Sequence, residues 1–200
     1  MKFESILTHK PSRWPKKGDL PFHEAMRAEA AGRLAADGLT REVSIMDGFM
    51  HAGTALADLA LKERLRRYDL VYPMLFCYRH AVETGLKWLI TQYGPSVGVR
   101  PENISCTHDL LSLWRDLVRI NEACGAKADD EALMVVEKII KQFHDWDKGG
   151  ITFRYATTTS GAVAKFEHEN IDIENLKDVM SGVANFFDGS DGWLDSIANA

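Results

Sequence analysis

Four polar residues, Arg79, His80, Glu83 and Lys87, interrupt the apolar run Tyr72 to Tyr93. On a helix turning about 100° per residue, with Phe76 at 0°, they fall at about 300°, 40°, 340° and 20°. That is one face, shared with Phe76 and Ile90. The types suit acid, base and anion chemistry: a guanidinium fork for carboxylate or phosphate, an imidazole that titrates near neutrality, and an ammonium. Met74, Leu75, Cys77, Ala81, Val82, Leu86, Trp88 and Leu89 cover most of the remaining cylinder, the pattern of a central, buried helix. An unpaired buried charge costs several kcal/mol, so the stripe must meet polar partners or a ligand. Arg79 to Glu83 and Glu83 to Lys87 are both i,i+4 pairs, able to satisfy one another as a structural network.

Two further polar groups can join it: His108-Asp109, and Asp145, Asp147 and Arg154-Tyr155. The candidate ligand-binding set is therefore Arg79, His80, Glu83, Lys87, His108, Asp109, Asp145, Arg154 and Tyr155, with His80 and His108 as candidate catalytic bases. His80, Glu83, His108, His144 and Asp145 are suitable metal-ligand types, but no spacing is HExxH, so no metal and no cofactor is assigned. Nucleophile signatures are missing, since Cys77, Cys106 and Cys124 have no local motif and Ser160-Gly161 is not within GxSxG. Gly149-Gly150 is a turn signal and not a phosphate loop, which argues against an ATPase of familiar type.

The elements that must position these residues are read from apolar spacing. Residues 1 to 20 read as an arm, and Pro21 onward as an alanine-rich peripheral helix capped at Gly38. A helix over about Arg41 to Arg66 places Ile45, Phe49, Ala52, Leu56 and Leu59 on one face, with Gly53 small enough for a close neighbour. The central helix stops at Gly94-Pro95. A third begins with Thr107 as N-cap and ends near Gly125, and a fourth spans Asp129 to Trp146 on Leu133, Val136, Ile140 and Phe143. ITFRYAT and AVAKFEH around Gly161 predict a short β-hairpin. A last helix over Ile173 to Phe187 precedes a tail. The expected organisation is an N-terminal arm and peripheral helix (1–40), an all-α bundle with a β-hairpin insertion before its last helix (41–187), and a tail (188–200).

Two hundred residues, 46% hydrophobic and 26% charged, fit one main globular domain. The net charge of −5 argues against broad nonspecific nucleic-acid binding, which depends on phosphate neutralisation. Lys62, Arg64, Arg66 and Arg67 are a local basic patch, better used at a solvated helix end. Three scattered cysteines support no disulfide framework and fit a reducing compartment. Neither a signal-peptide core nor a membrane span is evident, so the expected location is cytoplasmic, without a membrane partner.

In the order of RHAVExxLKWLI, THDLxxLW, an acidic helix, DxDxxxxxFRY and IDxxNL, residues 40 to 187 resemble the HEPN superfamily of higher-eukaryote and prokaryote nucleotide-binding domains. The resemblance implies a small helical bundle, a homodimer, and one of several roles in bacterial stress or phage defence. Many members are metal-independent endoribonuclease toxins whose Arg and His stand four to six residues apart on a late helix. Here no arginine is followed by a histidine at that distance, and Arg100 to His108, with seven residues between, is nearest. The resemblance thus points to a noncatalytic domain that binds a nucleotide or RNA. The alternatives are an endoribonuclease with an atypical Arg/His site, and a scaffold or antitoxin-like subunit paired with a neighbouring gene's product.

Overall fold

The computed structural model describes residues 15–22, 24–127, 129–158 and 160–199. The chain divides into two units after Leu34. In the first, the described residues hold a single 3-10 turn, Ala28–Ala30, and every described side chain is exposed. The expected peripheral helix is thus not formed there. Alanine content favours helix locally, but a short helix with no apolar face to bury is marginal in water. Gly38, expected to end that helix, instead begins the next one.

The second unit is all helical: α1 (Gly38–Lys62), α2 (Arg67–Tyr93), α3 (Leu110–Ala123), α4 (Glu131–Trp146) and α5 (Ile173–Ala198) pack around one apolar core. Asp37 caps α1 by accepting the Thr40 N–H at 2.7 Å. Its buried column is Met50, Gly53, Ala57 and Ala60, while the expected stripe of Ile45, Phe49 and Leu56 lies at the flank, half-buried or exposed. Small residues win the centre because α2 comes so close. A Cβ on Gly53 would stand 2.7 Å from Tyr78 Cδ1. A 3-10 turn, Arg64–Arg66, joins the two helices, and Arg67 Nε donates to the Ala60 carbonyl at 3.0 Å, satisfying the end of α1.

α2 is the central element, with Tyr78, Ala81, Val82 and Leu86 fully enclosed. A 3-10 turn, Gly94–Val97, follows it. The cap of α3 is Asp109, whose carboxylate accepts the Ser112 N–H at 2.9 Å; Thr107, expected in that role, accepts the Asp109 N–H at 3.3 Å instead. α3 closes as a Schellman motif: the Ala126 N–H reaches the Asn121 carbonyl at 2.8 Å and Gly125 takes φ +97°. Asp130 caps α4, which buries Leu133, Val136, Ile140 and Phe143 as their spacing predicts.

Between α4 and α5 the predicted hairpin does not form. The described residues there hold one isolated bridge, Thr157 to Val163, and no strand. Ile151 to Arg154 instead turns back under the Asp147 carboxylate, which takes the N–H groups those strand residues would have paired. α5 also runs on through the residues expected as a tail. Leu194, one heptad beyond Phe187, is buried, and Asp191 accepts from Trp88 Nε1 at 3.0 Å and Tyr93 Oη at 2.7 Å. Among the described residues, no helix is long and apolar enough to cross a membrane.

Candidate functional site

The stripe on α2 divides into a buried network and a half-exposed rim. Arg79 and Glu83 are 1% and 2% exposed, one helical turn apart, and Arg79 Nη1 donates to Glu83 Oε2. The other two nitrogens of Arg79 are engaged as well. Nη2 donates to the His108 carbonyl at 2.7 Å and Nε to the Asp147 carbonyl at 3.3 Å. Nε also lies 3.2 Å from Asp147 Oδ2, an ionic contact without hydrogen-bond alignment. Glu83 Oε1 takes Lys87 Nζ at 2.8 Å and His108 Nδ1 at 2.9 Å, and Lys87 reaches the Ser105 carbonyl at 3.3 Å.

Asp147 completes this network from the end of α4. It is fully buried, and its Oδ1 accepts the N–H groups of Ile151 and Thr152 at 2.7 and 2.9 Å. Two cations, Arg79 and Lys87, thus meet two carboxylates, Glu83 and Asp147. Burial alone would raise the pKa of Glu83, but hydrogen bonds from Lys87 and Arg79 outweigh it and hold the carboxyl down at about 2. The network ties α2 to the start of α3 and the end of α4, and Arg79, 1% exposed, is closed off from a ligand by its burial.

The rim lies beside it. His80 stacks on Phe76 with ring centroids 5.6 Å apart and meets the edge of Phe49 at 4.4 Å. This burial pushes the imidazole pKa below its ordinary value; Glu83 opposes the shift, and Arg79, Lys87 and Arg154 add to it. The shift favours the neutral imidazole. The Arg154 guanidinium stands 5.6 Å from both the Phe76 and the Tyr155 ring centroids. Its Nε is held by the Gly150 carbonyl at 2.6 Å, so the head is fixed while its terminal nitrogens bond no described residue. Tyr155 is 59% exposed, and the His108 side chain 51%.

No family model, curated protein or solved structure matches this chain.

The nine sequence-predicted residues therefore separate. Arg79, Glu83, Lys87 and His108 assemble into the network, and His80, Arg154 and Tyr155 into the rim. Asp109 is spent on its cap and lies 3.5 Å from His144 Nδ1. Asp145 is exposed and pairs with Lys141 at 2.5 Å on its own helix. Among the described residues, no three His, Cys, Asp or Glu side chains converge as a metal site. Phe49 was legible only as a core residue of α1. Its half-buried position at the edge of that stripe makes it a wall of the rim.

Proposed function

We propose that this chain is a HEPN-like domain that binds a nucleotide or single-stranded RNA noncatalytically, through the rim of His80, Phe76, Arg154 and Tyr155. One observation carries the reading: the Arg154 head is fixed over two aromatic rings with its terminal nitrogens uncommitted. A guanidinium so placed pairs with phosphate, and the exposed Tyr155 ring accepts a stacked base. The His80 imidazole adds a hydrogen-bonding edge beside the guanidinium. Few cations are engaged, so the salt dependence is shallow. The test is anisotropy of a labelled single-stranded RNA, with ATP as competitor, over a range of salt. Saturable binding with a log–log salt slope of about −1 supports the rim. No binding at low salt, or a steep slope of roughly −4 or beyond, contradicts it.

A second reading, a metal-independent endoribonuclease, has its own observation. The half-exposed His108 imidazole sets Nδ1 on buried Glu83 at 2.9 Å, which orients Nε2 outward as a proton acceptor. EDTA-resistant cleavage of RNA that vanishes in a folded His108→Ala variant would establish this activity in place of the noncatalytic one.

A further inference from the structure

A separate hollow of about 270 Å³ lies between α4, α5 and the segment that joins them. Its floor includes Phe143, Trp146, Phe153 and Met180, three of them aromatic. Phe153, Phe143 and Met180 belong to the buried core, so this wall is preformed. Phe166 braces it from the joining segment, stacked on Phe153 at 6.0 Å and tilted against Trp146 at 5.2 Å.

Three carboxamides ring the mouth: Gln142, Asn170 and Asn175. Among the described residues none of their side chains makes a hydrogen bond, so six N–H and three C=O positions stand ready beside an apolar floor. No lysine or arginine lines the hollow, whereas Glu167 and Asp172 do. Concave apolar sites with a few convergent polar groups are where small molecules bind, and those for drug-sized ligands span about 300–1,000 Å³. This hollow is smaller, and its charged lining is two carboxylates with His168 beside them.

We propose that it binds an uncharged planar heteroaromatic ring of nucleobase type, whose face lies on the aromatic floor and whose edge of adjacent donor and acceptor pairs with the carboxamides. A phosphorylated ligand is disfavoured by the two carboxylates. This pocket is independent of the Arg154 rim, which selects the opposite charge.

Ligand-observed saturation-transfer NMR on the full chain with adenine, adenosine and AMP tests it. Adenine and adenosine show transfer, and AMP competes for the same site about tenfold more weakly or worse. Affinity for adenine drops about tenfold in the surface double variant Asn170→Ala, Asn175→Ala, and about as much in Val179→Phe, which fills the hollow. Two results would overturn the proposal: no transfer from adenine or adenosine, or transfer indifferent to the carboxamide variant. The carboxamide variant decides the matter even where Val179→Phe fails to fold.

Discussion

Glu83 is the residue on which the buried network turns, since it holds Arg79, Lys87 and His108 at once. Removing one member of a buried ion pair leaves an uncompensated charge, which costs about 3–5 kcal/mol. Glu83→Gln should lose about that much stability in urea unfolding, with no comparable loss in Arg154→Ala. The sign with pH follows from the depressed carboxyl. Its folded pKa of about 2 lies below the ordinary 4.5, so its stabilisation is complete above pH 4.5 and fades as pH falls toward 2. Unfolding titrations from pH 7 to 2 should show a steeper acid loss in the wild type than in Glu83→Gln. The i,i+4 half of this network was legible because both partners sit on one helix. Asp147, 68 residues from Arg79, was legible only as one of several polar residues able to join the stripe: the turn over Ile151 and Thr152 is what brings it there.

At the scale of elements, the approach of α1 to α2 depends on the missing side chain at Gly53. Gly53→Ala places its Cβ against the rigid ring of Tyr78, and overpacking of this kind costs about 1–3 kcal/mol, visible as a lower Tm. An unchanged or raised Tm would mean that the helices move apart freely. The end of α5 allows a stronger test. Truncation after Phe187 removes buried Leu194 and the carboxylate that Trp88 and Tyr93 share, and should lower stability by about 3 kcal/mol or more. A disordered tail would leave stability unchanged. Periodicity marked the helices wherever they bury a plain stripe, as α4 does. It failed at α5, where Gly189, Ser190, Asp191 and Gly192 read as loop residues until Trp88 and Tyr93 are seen to hold them. It failed again at Pro21 to Gly38, where propensity had no packing behind it. The hairpin was misread because β-forming residue types also serve to fill a turn over a buried carboxylate.

For the molecule as a whole, the central claim is a division of labour within one polar stripe. Arg79, Glu83, Lys87 and Asp147 hold three helices together, and the rim around His80 and Arg154 is the proposed ligand contact. Sequence spacing could place all of the α2 residues on one face, but not sort them, because burial depends on which neighbours arrive from α1, α3 and the segment after α4. The most direct measurement is the affinity of Arg154→Ala and Glu83→Gln for a labelled single-stranded RNA, each beside its urea unfolding curve. Arg154→Ala should keep wild-type stability and bind about tenfold or more weakly, a charge-assisted contact being worth about 1.5–3 kcal/mol, whereas Glu83→Gln should lose stability first. Wild-type RNA affinity in Arg154→Ala, or weakened affinity in a Glu83→Gln protein of unaltered stability, would contradict this division.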